Sequence, residues 1–361
     1  MNIGIVTNSL DREHLTGPGV YLYYMLDSLL ELPEARPHIH LIHYKPFERS
    51  LYRRAREVIV PRLPGLTEVA LSRKRFDVLH YNSPPILRPF FSLSSKKVLT
   101  LHGIGRLIVP HAFSRWARIE AKYLWPVLFK AIDKIITVSE FTRQAAIRYL
   151  GIPPDRVCAI HSGVGEQFQP QSEQAIATLR ARVGGPYLLH VSNYAPKKNS
   201  AVLIKAFAIL KQMKYPHRLV IIGGRWQASP IPALVSDLHL DGEVTFAGYV
   251  RNTELPIWYS GAEAFVTLSL HESFCFPVVE AMACGCPVIA PNRTAFPEIV
   301  GDAGLLLDEP ESPDKVAMKL ATVLDDKALA DQLREKGLKR ASRFSWRENA
   351  RKTWQVYQSL L

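Results

Sequence analysis

Along this chain, short apolar runs rich in Val, Ile and Leu alternate with stretches whose apolar residues recur at helical spacing. No other feature narrows the choice of folds so far. Strand, helix and strand in repetition is the pattern of parallel α/β architecture, where each helix carries the chain back across the sheet. In the first half the pattern predicts strands over 2–7, 38–43, 78–81, 97–101, 134–138 and 156–160. The segment YLYYMLDSLLEL, after Thr16-Gly17-Pro18-Gly19, reads as a helix with Tyr21, Met25, Leu26 and Leu29 on one face. The segment SEFTRQAAIRYLG reads as another. Ser139 is its N-cap, and Gly151 with Pro153 and Pro154 forms its stop.

The alternation then restarts. Strands are expected over 187–191, 218–222, 243–246, 264–267, 287–290 and 304–307, with a helix over 201–213. The join, EQFQPQSEQAIATLRARVGGPY, is polar and punctuated by Pro170 and Gly184-Gly185-Pro186. This gives two Rossmann-like domains, 1–170 and 171–345, and an amphipathic helix over 346–361 with Trp346, Trp354 and Tyr357 as packing anchors. A length of 361 residues suits two such domains. Two open parallel α/β domains bind ligands where strand C-termini face a central cleft.

Other classes are disfavoured. Four cysteines in 361 residues do not make a disulfide framework and suit a reducing compartment, so a cytoplasmic setting is expected. No run approaches the ~18 apolar residues of a spanning helix, and the first residues read as a strand rather than a secretion signal. There is no G-x-x-x-x-G-K-[ST], no H-E-x-x-H and no G-x-S-x-G. Cys284-Gly285-Cys286 lacks a second ligand pair at metal spacing, and no D-x-D clamp exists, so no metal is expected. Charge is less ordinary: the net value is +12, and half of the excess falls in residues 49–75. There Arg49, Arg53, Arg54, Arg56, Arg62, Arg73, Lys74 and Arg75 face only Glu57 and Glu68. Such a block is either a solvated basic face or a contact for something anionic: nucleic acid, an acidic lipid surface or a phosphorylated ligand. It lacks the interleaved aromatics of an RNA-binding module, so no nucleic acid is expected.

The densest chemical information lies in HESFCFPVVEAMACGCPVIAPN, residues 271–292. It reads as strand end, loop, helix and strand, with Pro277 at the first helical position and Gly285 just past the end. Glu272 falls in the loop and Glu280 in the first helical turn, so they are not an acid/base pair on one surface. The head of this helix offers N–H groups and partial positive charge to a pyrophosphate. Glu280 either complements the helix dipole or grips a ribose diol.

This segment resembles the E-x7-E signature of family 4 retaining glycosyltransferases, which have the GT-B fold. Glu272 and Glu280 stand at its two glutamates, and Ser273-Phe274-Cys275-Phe276-Pro277 matches the loop between them. Cys275 replaces the usual glycine, and its side chain crowds the backbone approach to the donor sugar. Other segments match in order along almost the whole chain. HVSNYAPKKNSAVLIKAF is similar to the family's phosphate-holding strand–loop–helix, with Lys198 at the lysine and Asn193 where the family has arginine. LTLHGIG places His102 at the family's active-site histidine. TGPGVYLYYML resembles the flexible glycine loop near the acceptor, carried here by Gly17 and Gly19. KIITVSEFTRQAAIRYLGIPPDRVCAIHSGV is similar to a further family run, with Ser162 for the common Asn, and the C-terminal helix resembles one that crosses back onto the N-terminal domain.

The resemblance implies a retaining hexosyltransferase acting on a UDP- or GDP-sugar of glucose or mannose type, with no cofactor. The acceptor would be a hydroxyl of a glycan or a lipid-linked molecule, in cell-surface polysaccharide or glycolipid assembly. Glu280 would hold the ribose, and Lys198 with the helix head the pyrophosphate. Glu272, Ser273 and the backbone of Phe274, Cys275 and Phe276 would hold the sugar. Peripheral contact with an anionic membrane would run through residues 49–75. The competing readings are a non-catalytic nucleotide or nucleic-acid binding protein and a GT-B epimerase or phosphorylase.

Overall fold

The structure, a computed structural model, describes residues 1–11, 15–44, 50–61, 66–84, 94–110 and 113–361. The chain divides into two units, Met1–Gly163 with Ser345–Leu361, and Val164–Phe344. The first contains β1 (Ile3–Val6), β2 (Ile39–His43), β3 (Arg56–Ile59), β4 (Val78–Tyr81), β5 (Lys96–Leu101), β6 (Lys134–Thr137) and β7 (Val157–Ala159). These form one sheet in the order β3-β2-β1-β4-β5-β6-β7, parallel throughout. The second unit contains β8 (Tyr187–Val191), β9 (Arg218–Ile222), β10 (Val244–Gly248), β11 (Ala264–Val266), β12 (Val288–Pro291) and β13 (Gly304–Leu307). Their order is β10-β9-β8-β11-β12-β13, again all parallel.

Helices cover both faces of a parallel sheet, so its strands read as unbroken apolar runs rather than alternating ones. Ile3, Ile5, Val78, Leu79, Ile135, Leu188, Leu219, Phe265 and Ile289 are accordingly inaccessible to solvent. That burial makes the strands legible. The exception is β3, which the pattern did not predict. Of its four residues only Val58 is buried, and Arg56, Glu57 and Ile59 face solvent at the sheet edge. A polar edge strand of this kind discourages pairing with another chain, and in the sequence it merges with the surrounding charge.

The basic stretch is thereby divided among the turn Ser50–Arg54, strand β3 and the helix Leu66–Lys74. Arg49 and Arg62 lie outside the described residues. Arg54 is paired with Asp27, with Glu31 4.0 Å away.

In each sheet the order reverses once, between β1 and β4 and between β8 and β11. At such a switch point the loops leaving adjacent strand ends diverge to opposite faces and open a crevice for ligand. Both groups of site residues lie on loops that follow these strands or their immediate neighbours.

The terminal helix Trp346–Gln358 belongs to the first unit. Ser345 caps it by accepting from Glu348 N–H at 3.3 Å. Trp346 packs edge-on to Tyr21 and stacks on Tyr24, both from the helix Gly17–Leu29. Tyr357 reaches the sheet, its hydroxyl 2.6 Å from Nδ1 of His80, whose Nε2 lies 2.8 Å from the Thr100 hydroxyl. Gly163 makes room for this helix: a Cβ there would fall 2.6 Å from Trp346 Cγ and closer still to its backbone nitrogen.

Two outcomes follow from this packing. Gly163→Ala should lower stability by about 1–3 kcal/mol, because the clash is with backbone and a fixed ring; an unchanged urea midpoint would contradict it. Burial holds the His80 imidazole down at about 3, with nearby His102 adding to the shift, so the folded ring is neutral. The unfolded ring protonates below about 6.5, so the His80 contribution is full above that value and declines as pH falls toward 3. Urea midpoints measured over this range should decline in the wild type and less steeply in His80→Gln; parallel profiles would show that His80 does not titrate on unfolding.

Candidate active site

The loop after β8 carries Lys198 in the turn Pro196–Lys198, and the loop after β11 carries Glu272. Backbone stitches the two loops together, with Leu270 N–H donating to Lys197 O at 2.8 Å. Lys198 Nζ then donates to Glu272 Oε1 at 2.6 Å, and Ser269 Oγ donates to the same oxygen at 2.8 Å. Lys197 Nζ stands 4.0 Å from it. Side-chain exposure is only 19% for Lys198 and 14% for Glu272, so water screens the pair weakly. Burial works against both charges. The partner outweighs it, holding Lys198 above its ordinary value and, with Lys197, drawing Glu272 down to about 2. Both groups are ionised at any physiological pH.

The sequence reading treats Lys198 and Glu272 as separate contacts; the fold puts them in direct hydrogen bond. Ser269 is absent from that reading. No spacing pattern marks it, because its partner is three residues along an irregular loop.

Residues 272–275 lead into the helix Phe276–Ala283. Cys275 forms its N-cap with φ at +73°, in the left-handed region that suits glycine. Burial pushes its thiol up to about 12, so it stays protonated. Phe274 is buried, edge-on to Phe276 and to Phe344. Ser273 is half-buried between Glu272 and Phe274. Because Cys275 turns the chain one residue early, the helix begins at Phe276 and Pro277 takes the second position, not the first. Pro277 offers no N–H and Val278 N–H donates to Cys275 O at 3.1 Å. The donors at the helix head are therefore those of Cys275 and Phe276. Gly285, with φ at +70°, ends the helix as expected, with Cys286 N–H donating to Ala281 O and Gly285 N–H to Met282 O.

Glu280 consequently lies in the second turn, which corrects its placement in the first. The dipole effect fades beyond the first turn, so dipole complementation does not account for this residue. Its carboxylate instead accepts from the Tyr259 hydroxyl at 2.8 Å, from the helix Leu255–Gly261. Burial raises Glu280 to about 7 despite that hydrogen bond, and raises Tyr259 well above its usual range. Tyr259 is a second site residue that the sequence pattern does not reveal, being 21 positions from its partner on another helix.

Asn193 follows β8, and its Oδ1 accepts from Gly224 N–H at 2.7 Å, while Tyr194 N–H donates to Gly224 O at 3.0 Å. Gly223, with φ at +129°, is pressed against Ser192 so closely that a Cβ would overlap its carbonyl. Asn193 is exposed and fastens this turn, beside the exposed Arg225 with φ at +68°.

In the first unit His102 follows β5. Its Nε2 lies 2.8 Å from Asn82 Oδ1, and Asn82 Nδ2 donates to Pro18 O at 2.8 Å and to Ser9 Oγ at 3.2 Å. With the Asn82 amide fixed by those two acceptors, His102 carries its proton on Nε2 and presents Nδ1 as an acceptor. Burial brings its imidazole down to about 4, so it is neutral. Asn82 thus ties His102 to the glycine segment. That segment is not a loop: Gly17, Pro18 and Gly19 form the first turn of the helix Gly17–Leu29. Proline near a helix start loses no bond, and neither glycine adopts a positive φ.

Comparison with known proteins follows the same division. Residues 20–168 match the family profile described as Glycosyltransferase Family 4, and residues 171–340 match Glycosyl transferases group 1. An O-antigen chain mannosyltransferase B from Escherichia coli is 30% identical over 73% of this chain and 71% of its own. A sucrose-phosphate synthase from Thermosynechococcus elongatus superposes with a TM-score of 0.81 at 20% identity, over 99% of this chain and 98% of that one. The Anabaena protein HepE, solved with UDP-glucose, gives 0.79 at 18% identity, over 99% and 100%. The two-domain GT-B fold implied by the motifs is the fold of this chain. With its two units matched in order by the two profiles and a relative aligned along most of both chains, the protein belongs to the group 1 and family 4 glycosyltransferases.

Proposed function

We propose that this glycosyltransferase moves a mannose- or glucose-type hexose from a UDP- or GDP-sugar to a hydroxyl of a glycan or lipid-linked acceptor, with retention and without a metal ion or cofactor. The observation that carries this reading is the Lys198–Glu272 pair, 2.6 Å apart at the switch point between β8 and β11. A permanently charged ammonium in a poorly screened site is suited to the charge that builds on a departing diphosphate, the task a divalent ion performs elsewhere. The sequence has no D-x-D to hold such an ion. The E. coli relative, named as an O-antigen mannosyltransferase, supports a role in polysaccharide assembly, and the HepE complex supports a nucleotide-sugar donor.

In this reading Glu272, fully ionised, accepts hydrogen bonds from sugar hydroxyls while it keeps Lys198 charged and aimed. Ser273 and the backbone of Phe274 complete the sugar cradle, and the Cys275 side chain narrows it where a glycine would leave room. Lys198 and the N–H groups of Cys275 and Phe276 take the diphosphate. Glu280 accepts from the ribose diol, and Asn193 fixes the turn beside the phosphates. The N-terminal unit takes the acceptor near Gly17 and Gly19, and neutral His102 contributes a hydrogen-bond acceptor rather than a charge. No side chain is assigned as a covalent nucleophile; the leaving phosphate takes the acceptor proton.

Glu272→Gln keeps an acceptor for Lys198 but loses the charge, and should lower turnover about tenfold or more while unfolding remains cooperative. Lys198→Ala should weaken UDP or GDP binding about tenfold and turnover further. Intact nucleotide affinity by calorimetry in a folded Lys198→Ala protein would remove the phosphate role. The product anomer by NMR tests retention, and a rate unaffected by chelator tests metal independence.

Glu280 gives a pH test. Since the carboxylate form accepts the diol and its value stands at about 7, donor binding should weaken as pH falls through that point. Between pH 8 and pH 6 the limit is about tenfold. A nucleotide-sugar is the right probe, because its phosphodiesters do not titrate there. Glu280→Gln should bind weakly at both values; a wild-type affinity independent of pH would dissociate Glu280 from the ribose.

A further inference from the structure

We propose that the outward face of the helix formed by Arg115–Ile119, Glu120–Leu124 and Trp125–Lys130 is a docking surface for a bilayer rich in anionic lipid. One side of this helix is ordinary. Ala121, Trp125, Leu128 and Phe129 are buried against Leu99, Ile104, Ile135 and Ala146 in the core of the first unit. The other side is not. Trp116 is 80% exposed, Tyr123 62%, Val127 58%, Leu124 50% and Ile119 39%. Residues 116, 119, 123 and 127 recur at helical spacing, so they form a stripe rather than scattered singles. Isolated exposed apolar residues need no explanation, but a contiguous stripe of large ones marks an interaction surface.

Charge selects the occupant. Arg115, Arg118, Lys122 and Lys130 are exposed on the same helix. Its only acid, Glu120, is bound to Arg106 at 2.8 Å and faces Trp125 Nε1 at 3.4 Å. Apolar and aromatic residues on one face with basic residues beside them make a helix that lies in the headgroup region. Tryptophan and tyrosine favour that region because their rings are amphipathic. A second copy of the chain fits less well, since a two-fold contact would set the same cations against each other with no free acid on the helix to meet them. The helix lies on a bilayer rather than crossing it: among the described residues no helix is long and apolar enough to span.

The basic stretch at 49–75 is a poorer membrane surface. It is divided among three elements, Arg54 is paired with Asp27, and among its described residues Ile59 is the single exposed large apolar side chain. Charge without an apolar stripe gives attraction but no insertion.

The test uses the full chain and vesicles of phosphatidylcholine, with or without phosphatidylglycerol. The wild type should pellet with the anionic vesicles and not with the neutral ones. Combined Trp116→Ser, Tyr123→Ser and Val127→Ser should lower the bound fraction about tenfold, with the unfolding temperature and nucleotide binding unchanged because these side chains are exposed. Combined Arg115→Glu, Arg118→Glu and Lys122→Glu should abolish binding to anionic vesicles. The proposal is overturned if the wild type does not bind anionic vesicles, or if the serine variant pellets as well as the wild type. It is equally overturned if the wild type self-associates without pelleting and the serine variant is monomeric, which would assign the face to a second copy.

Discussion

A strand can pair in parallel with its neighbour only if the chain crosses back over the sheet between them. Everything else in this protein is arranged by that requirement. Each crossover delivers the loops that follow the strands to one edge of their sheet. Where the strand order reverses, adjacent loops part and leave space. Lys198 and Glu272 come from segments 74 residues apart, yet they meet because β8 and β11 are neighbours at the reversal. In the first unit the same logic gathers Ser9, Pro18, Asn82 and His102 from the segments that follow β1, β4 and β5.

The two glutamates of the eight-residue spacing show how one segment produces opposite electrostatic environments. Glu272 leaves the loop toward two lysines and a serine hydroxyl, and ionises readily, at about 2. Glu280, in the second helical turn, has a tyrosine hydroxyl as its hydrogen-bond partner, and stands at about 7. Burial disfavours charge at both; only one has cations to offset it. The pair thus divides into a permanent anion that orients a lysine and a carboxylate whose charge varies near neutrality. Cys275 lies between them, and its left-handed backbone is a local strain of the kind that persists where the surroundings impose it.

The strands were legible because a buried parallel strand is apolar on both faces, and this signal survives without tertiary information. β3 escaped it because an edge strand needs only Val58 inside. Gly17-Pro18-Gly19 suggested a loop through the family resemblance, but proline is at home in a first helical turn, and the helix Gly17–Leu29 simply starts earlier. Lys198, Glu272, Glu280 and His102 could be singled out from motifs. Ser269, Tyr259 and Asn82 could not, since each acts across a contact whose sequence separation follows no rule.

By itself the sequence determined the class of architecture, two parallel α/β units, and singled out the segments that bear Lys198, Glu272 and Glu280. It could do so because burial pattern, helix caps and glycine or proline punctuation are local properties. Tertiary structure alone decided that Lys198 and Glu272 bind each other, that Glu280 answers to Tyr259 rather than to a helix dipole, and that Trp116, Tyr123 and Val127 share an uncovered face. Those are distances between segments, and a distance is set by which strands pair and which faces the core leaves outside, not by the order of residues along the chain.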